Sequence, residues 1–226
     1  LGGAIQRRVT GARLDVINTA MGATYASQGY TGSGNGLGRR HLTLYFGEPW
    51  RKRMADQDAL AWQTGWLDKS QTFQIEVEMA SGITPVLSAF AVVDNFNSGK
   101  PHGIMKWFTN DFAAVGSTVE IAKLERRDLY SQLSIFDTSD SKSVAHARLV
   151  VGGVEVHDLS ANENTTLLKN NDMNPASGCY HLVFDHDDAL DDVLPANVND
   201  MQLTLTMSAA ANGTLSIVSQ RLGLPE

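Results

Sequence analysis

Two stretches in the second half of the chain have the pattern of a β-hairpin. Residues 148–157 read RLVVGGVEVH, and residues 203–218 read LTLTMSAAANGTLSIV. In each stretch, β-favouring residues lead into a Gly-Gly or Asn-Gly pair and are followed by a second β-favouring run. Such pairs adopt the positive φ of a tight turn at little cost, so both stretches predict a strand, a turn and a returning strand.

Other stretches predict further strands of the same kind. Residues 71–79 alternate apolar and polar side chains, which predicts a half-buried strand. Residues 86–93 form an almost continuous apolar run, which is typical of a core strand. The remaining predicted strands lie at residues 13–17, 41–46, 103–108, 119–123, 133–136 and 179–184.

Few helices are predicted, and they lie between strands. Residues 53–66 are rich in Ala, Asp and Gln, and residues 160–171 open with Ser160 followed three positions later by Glu163. This spacing is that of a capping box, in which two side chains satisfy the free N–H groups of a helix start. We expect such helices to cover strand edges that would otherwise pair without limit.

The fold class follows from the number and order of these elements. Many short strands with Gly-rich turns and few short helices predict a mainly β protein built from two jelly-roll β sandwiches in tandem, a double jelly roll. A short stretch rich in Ala, Gly and Ser at residues 111–117 predicts a loop between the two. The first predicted jelly roll therefore spans residues 1–114 and the second spans residues 115–226.

Composition limits the classes of partner. The chain has 226 residues, of which 42% are hydrophobic, so it can bury a substantial core. Its net charge of −7 argues against direct binding of nucleic acid, which requires clustered Lys and Arg. The single cysteine, Cys179, excludes both an intrachain disulfide and a metal site built from cysteines.

No motif predicts catalysis, so the sequence predicts that the chain is not an enzyme and has no catalytic residues. The glycine-rich residues 32–38 could be read as a phosphate cradle, but Arg39 and Arg40 lead into a strand, which favours a surface loop. His157 precedes Asp158, yet adjacent residues on a strand point to opposite faces, so ordinary strand-face histidines are favoured. Cys179, at the start of an apolar strand, is predicted to be a small core residue.

The acidic residues 185–192 raise the question of a metal. Several carboxylates at close range suit a hard cation such as calcium, but the stretch lacks the Gly and closing Glu of an EF-hand loop. A solvated acidic turn is the favoured interpretation. Calcium between subunits stays open as the one candidate cofactor, with its ligands unknown, and no other cofactor site is predicted.

Two further groups could belong to an interface. The four tryptophans are large enough to anchor a contact, although placement in a core is more common. The basic residues 51–53 are most simply interpreted as solvent-exposed side chains at the start of a helix. The alternative is that they contact lipid headgroups or a neighbouring subunit. The tryptophans are Trp50, Trp62, Trp66 and Trp107.

The order of segments resembles the major capsid protein of corticovirus-type phages, which are tailless double-stranded DNA phages with a membrane inside the shell. The resemblance covers most of the chain and is densest in the second half. It is a likeness in the type and order of strands and helices rather than in invariant motifs. The segments that carry it are residues 39–41, 58–60, 73–77, 119–121, 133–136, 154–159, 167–172, 180–184, 201–205 and 214–218.

The resemblance implies a structural coat protein and its partners. Three chains would form a trimer of pseudo-hexameric outline that tiles an icosahedral shell with neighbouring capsomers, penton proteins and minor capsid proteins. An internal viral membrane would lie beneath the shell and separate it from the genome. The expected location is the virion, after assembly in the cytoplasm of a bacterial host. The first jelly roll has few strands at its start, so residues upstream of Leu1 are expected to supply them.

Two rival functions remain. A carbohydrate- or receptor-binding β-sandwich spike would need exposed aromatic side chains on a concave face, for which Trp62 and Trp66 are the candidates. A sandwich-fold glycoside hydrolase would need two carboxylates across a cleft. Glu76 and Glu78 share one strand face, but solvent exposure already explains their pattern.

Overall fold

Among the residues that the structure describes, most of the helices and strands lie in the second half of the chain. The structure, a computed structural model, describes residues 4–22, 29–31, 38–40, 43–57, 59–62, 73–79, 81–82, 86–93, 103–186 and 190–224. The helices are α1 (Gly11–Ala20), α2 (Met54–Gln57) and α3 (Ala161–Asn170). The strands are β1 (Gly29–Thr31), β2 (Gly38–Arg40), β3 (Ile104–Ile121), β4 (Leu129–Phe136), β5 (Val144–Val151), β6 (Val154–Ser160), β7 (Cys179–Val183), β8 (Leu194–Pro195) and β9 (Met201–Gly223).

Strands β3 to β9 form one seven-stranded antiparallel sheet that curls on itself. The long strands β3 and β9 pair along almost their whole length and belong to both halves of the sheet. The first part of β9 pairs with β5, which pairs with β6. The last part of β9 pairs with β4, which pairs with β7. Strands β6 and β7 therefore lie at the two ends of this order, while β3 pairs only with β9 and the short β8 only with β4 among the described strands.

The main core lies between the two halves of the sheet. Leu133 of β4 and Leu149 of β5 are fully buried, as are Leu203 and Leu215 of β9. Alternate residues of a strand share a face, so each half-sheet directs one set of apolar side chains into this space. One cluster contains side chains from both halves, and burying it stabilises the sandwich.

The hairpin predicted at residues 148–157 is confirmed. Val151 of β5 pairs with Val154 of β6, and the turn between them is Gly152 and Gly153 with φ of 58° and 81°. Two successive residues with positive φ match the twist of an antiparallel pair, and only glycine adopts this conformation without strain.

The hairpin predicted at residues 203–218 is wrong, and so is the loop predicted at residues 111–117. Asn212 lies in the middle of β9 and pairs with Val115 of β3, so both stretches are continuous strand. Because residues 111–116 of β3 pair with residues 211–216 of β9, the backbone hydrogen bonds at Asn212 and Gly213 are satisfied without a turn. Gly116, with φ of 89°, marks a shift in register between β3 and β9 rather than a loop.

The first half of the chain departs most from the predictions. Residues 13–17 belong to α1 rather than a strand, and of the helix predicted at residues 53–66 only α2 and its surroundings are described. Residues 43–46 form no strand, and residues 41–42 lie outside the described residues. The division into jelly rolls at residues 1–114 and 115–226 stays a prediction.

The strands predicted at residues 71–79 and 86–93 are not formed in the residues that the structure describes there, 73–79 and 86–93. Their apolar side chains are exposed, from 38% at Phe73 to 95% at Val86. A strand requires a neighbour for its backbone N–H and C=O groups, and neither segment has a ladder partner among the described residues. Alternation in the sequence is therefore not enough to form these strands.

Helix α1 covers the outer face of one half-sheet. Leu14 and Ile17 are three positions apart, which places them on one face of the helix, and both are buried. They belong to a second apolar cluster with Trp107 of β3 and Val218 of β9. This half-sheet is therefore buried on both of its faces.

Helix α3 covers the gap between the edge strands, as predicted. It contacts β6, β5 and β7. The capping box is confirmed, since the Ser160 hydroxyl accepts from the Glu163 N–H and the Glu163 carboxylate accepts from the Ser160 N–H. The helix thus begins where local sequence specifies and protects two edges from pairing with other chains.

Substitution Ser160→Ala is expected to lower the free energy of unfolding by about 1 kcal/mol, because an N–H at the helix start loses its acceptor. Chemical denaturation of the purified chain measures the change. Ser160→Thr keeps a hydroxyl at the same position and serves as the matched control. Equal stability of Ser160→Ala and wild type would show that the capping box contributes nothing.

Candidate functional site

A buried charge cluster lies on the outer side of the sheet. The Arg51 guanidinium donates from Nε to Glu48 Oε2 at 2.6 Å and from Nη2 to Asp185 Oδ2 at 2.8 Å. These three side chains are at most 3% exposed. The Ser131 hydroxyl of β4 also donates to the Asp185 carboxylate, at 3.0 Å. The cluster therefore joins the segment before α2 to the sheet and to the residue that follows β7.

Arg7 brings the N-terminal segment to the same place. Its Nε donates to the Met105 carbonyl at 2.9 Å, and its Nη1 donates to the Tyr45 carbonyl. The guanidinium carbon lies 5.1–5.4 Å from the centres of three aromatic rings, a distance suited to cation–π attraction. These rings belong to Phe46, Trp62 and Trp107.

Burial and charge compete within this cluster. Burial lowers the pKa of Arg7 to about 10, against the opposing effect of Glu48. Burial also raises the pKa of Glu48, although Arg51 acts to lower it. For Arg51, burial acts to lower the pKa, but Glu48 and Asp185 together raise it above the usual value. The charges of two cations and two acids thus balance one another inside the protein. This arrangement suits a cluster that holds the N-terminal segment and the segment before α2 against the sheet.

A second group of charges lies at the start of β3 and the end of β9. Arg221 is fully buried, with Nη1 at 3.0 Å from Glu125 Oε2 and its guanidinium over the rings of Phe108 and Tyr130. Burial raises the pKa of Tyr130 to about 12. Lys106 is also buried and donates to Asp128 Oδ2 at 3.4 Å.

Neither cluster was predicted. Single basic residues within a strand pattern ordinarily indicate the solvent face. Glu48 lies three positions before Arg51, a spacing that the sequence does show, but Asp185 is 134 positions from Arg51. A single sequence shows no covarying pairs, so it contains no signal for the distant partner.

The basic patch predicted at residues 51–53 is divided by the fold. Arg51 is 2% exposed and faces inward, so the prediction that it is solvent-exposed at a helix start is wrong. Lys52 is 48% exposed, with its Nζ 3.8 Å from Asp172 Oδ2. Arg53 is exposed. A contact with lipid headgroups could use only part of this patch.

The acidic stretch 185–192 is also divided. Asp185 is 3% exposed and paired with Arg51, so a solvated turn is wrong for this residue. Residues 187–189 lie outside the described residues, and Leu190–Asp192 form a 3₁₀ turn. In the part of the chain that the structure describes, no three His, Cys, Asp or Glu side chains are placed to hold a metal ion. Calcium binding stays a prediction without assigned ligands.

His157 and Asp158 point to opposite faces, as expected. His157 is buried, with Nε2 2.7 Å from the Tyr180 hydroxyl, and Asp158 Oδ1 lies 3.2 Å from His146 Nε2 on the surface. The pair therefore does not form a catalytic arrangement. Burial raises the pKa of the free Cys179 thiol well above its ordinary value, which disfavours the reactive thiolate.

The aromatic candidates have packing roles where they are described. Trp107 is 3% exposed, and the Trp62 ring lies 5.1 Å from Phe46 and 5.8 Å from Phe73. Trp50 packs at 5.2 Å from Tyr45. Trp66 lies outside the described residues, as do residues 32–37 of the glycine-rich run, and Arg39 and Arg40 lie in β2.

The curled sheet has the fold of a jelly-roll virus capsid protein. The crystal structure of the major capsid protein P2 from bacteriophage PM2 matches with a TM-score of 0.50 and 15% identity, over 56% of this chain and 46% of that chain. The atomic structure of Sulfolobus Turreted Icosahedral Virus matches with a TM-score of 0.43 and 13% identity, over 54% and 39%. The PBCV-1 virus capsid matches with a TM-score of 0.41 and 9% identity, over 53% and 47%.

Residues 105–223 match the model of the family described as viral coat protein P2 C-terminal domain. The match extends from β3 to β9 and makes up just over half of the chain. The chain belongs to this coat-protein family, and the predicted mainly β, jelly-roll fold class is confirmed. This chain covers less than half of the length of each of the three capsid protein chains compared above. None of the curated proteins matches it.

Proposed function

We propose that this chain is a major capsid protein with a structural, non-enzymatic role. The observation that carries the proposal is the match of a viral coat-protein family to residues 105–223, the same residues that form the curled sheet. The likeness of that sheet to the major capsid protein P2 of bacteriophage PM2 supports the fold on which the role depends.

In the proposed assembly, three chains form a pseudo-hexameric capsomer that tiles an icosahedral shell. Its partners are neighbouring capsomers, penton proteins and minor capsid proteins, with an internal viral membrane beneath. The location is the virion, after assembly in the bacterial cytoplasm. Net charge of −7 suits a coat that a membrane separates from the genome. None of the helices in the described residues has the length and apolar character that a membrane crossing requires.

Sedimentation equilibrium near neutral pH in salt tests the trimer. The expected mass is three times the 24.5 kDa of one chain. Electron microscopy of the same sample is expected to show trimers or regular shells. A stable monomer that persists across a wide range of concentrations would contradict the trimer.

A flotation experiment tests the membrane separately. Unassembled trimers mixed with anionic lipid vesicles are expected to float with the vesicles, and the exposed pair Lys52→Glu/Arg53→Glu is expected to reduce this binding while the trimer mass stays unchanged. Trimers that assemble into shells but never float with vesicles would contradict the membrane contact and leave the capsid role intact.

A further inference from the structure

Two histidines lie buried on the two edge strands that α3 covers. His157 on β6 is 8% exposed, and His181 on β7 is 1% exposed. Since β6 and β7 end opposite halves of the sheet, α3 is the element that bridges them. Each histidine is thus placed where the closure of the sandwich depends on the helix.

Hydrogen bonds tie both histidines to the helix and to its start. The Asn164 side chain of α3 donates from Nδ2 to the His181 carbonyl at 2.8 Å. The Tyr180 hydroxyl donates to the Leu159 carbonyl at 3.1 Å, just before the helix, and lies 2.7 Å from His157 Nε2. Movement of α3 would therefore break its bond to the His181 carbonyl, and movement of the end of β6 with it would break the bond between Tyr180 and Leu159.

Burial and the neighbouring donors disfavour a charged ring at His181. Its Nδ1 lies 2.9 Å from Gln132 Nε2 and 3.1 Å from the Ser134 hydroxyl, while Gln132 Oε1 and His181 Nε2 are buried without a hydrogen-bond partner among the described residues. In this orientation of the Gln132 amide, a proton on Nδ1 would place two N–H groups against each other. The titratable side chain of Cys179 also faces the ring, with its Sγ 3.9 Å from Nδ1. No acidic group among the described residues contributes to the pKa of His181, which burial lowers to about 4.

The surroundings of His157 contain more charge. Asp158 on the same strand favours its protonated form, whereas His146 on β5 and His186 after β7 oppose it. Burial is the largest effect and lowers the pKa of His157 to about 4. Tyr180 on β7 also faces the ring, and Glu163 at the start of α3 acts on Tyr180. Both histidines are therefore neutral in the closed structure near neutral pH.

We propose that α3 and the parts of β6 and β7 beneath it form an acid-released latch, which opens when His157 and His181 take up protons. Opening exposes both rings to water, where a histidine titrates near its ordinary value. The closed form binds fewer protons than the open form, so acid favours opening as the pH falls from about 6.5 towards about 4. With the pKa values of about 4 in the closed form, the ratio of open to closed latch rises about 30-fold per histidine between about pH 7.5 and about pH 5.

Hydrogen exchange measured by mass spectrometry tests the latch on the full chain. After correction for the intrinsic pH dependence of exchange, peptides from α3, β6 and β7 are expected to lose at least about 30-fold protection near pH 5. Peptides from β4 and β9 are expected to stay protected. Equal protection of α3 at both pH values would overturn the proposal.

Variants separate the histidines from a general effect of acid. His181→Asn keeps an acceptor near the Nδ1 position, and His157→Gln keeps a donor near the Nε2 position, but neither side chain can take up a proton in this range. The double variant is expected to keep α3 protected near pH 5. The surface variant His146→Gln is the matched control and is expected to open almost like wild type, because His146 has the smallest effect on His157 of the groups named above. Opening of the double variant to the wild-type extent would overturn the proposal.

A second measurement needs no variant. In proton NMR of the wild-type chain, the two buried histidine rings are expected to titrate over the same pH range in which α3 loses protection. Titration of both rings while α3 stays protected would show that the rings accept protons in the closed structure, and the latch would be refuted.

Discussion

Substitution Arg51→Met is expected to lower the free energy of unfolding by about 3–5 kcal/mol, because it removes the cation between two buried carboxylates. Glu48 and Asp185 lie 2.6 and 2.8 Å from the guanidinium and are almost fully buried. Without Arg51 they repel each other and lack water to solvate them. Guanidinium-induced unfolding near neutral pH measures the loss.

Two comparison variants make this expectation specific. Lys52→Met removes the adjacent, exposed cation, and its stability is expected to lie within about 0.5 kcal/mol of wild type. The triple variant Glu48→Gln/Arg51→Met/Asp185→Asn removes the charge of all three and is expected to recover much of the loss. Equal losses for Lys52→Met and Arg51→Met would contradict a special role for the buried cluster.

The pH dependence of Arg51→Met gives a further check. Burial already raises the pKa of Glu48 in the wild type, and loss of Arg51 removes the cation that opposes this rise. The folded variant therefore binds a proton more readily than its unfolded chain, so its deficit relative to wild type is expected to shrink as the pH falls towards about 4.5. A deficit that grows in acid would contradict this account.

Substitution Leu203→Ala is expected to cost about 2–5 kcal/mol, because it opens a cavity in the main core. Leu203 is fully buried on β9 and lies opposite Leu149 of β5, which is also fully buried. The site lies between the two halves of the curled sheet, where neighbouring strands cannot move inward without losing their own ladder.

Leu203→Met is the matched control, since it nearly conserves volume and is expected to cost less than about 1.5 kcal/mol. Val154→Ala, at a position that is 63% exposed, is expected to change stability by less than about 0.5 kcal/mol. Denaturant-induced unfolding measures the free energy of unfolding of the three variants and so ranks their stabilities. A cost at Leu203→Ala no larger than that at Val154→Ala would place Leu203 outside a close-packed core.

Pattern alone predicted the fold class and several strands of the second half, but not the two longest strands, β3 and β9. The alternating runs at residues 133–136 and 179–184 lie in β4 and β7, where one face meets the core. Residues 71–79 alternate just as clearly, yet the residues described there, 73–79, have no ladder partner and form no strand. Alternation in the sequence indicates which face a strand would bury, but it does not indicate whether a neighbouring strand is present to pair with it.

The candidate site was less predictable than the fold. The residues that the sequence singled out for chemistry, such as the pair His157 and Asp158, are separated by the faces of a strand. The charges that the fold brings together, Arg51 with Asp185, come from distant parts of the chain. A single sequence shows which residues carry charge, but their distances depend on how the segments pack.

Local sequence by itself determined two features of this protein: the glycine turn at Gly152 and Gly153, and the start of α3 at Ser160. Both depend on backbone conformation and hydrogen bonds within a few residues. Only the tertiary structure decided that Asn212 and Gly213 continue a strand, although the same residue types favour a turn. The physical reason is that β3 supplies ladder partners for residues 203–206 and 211–223 of β9, which include Asn212 and Gly213, and these hydrogen bonds outweigh the local preference for a turn.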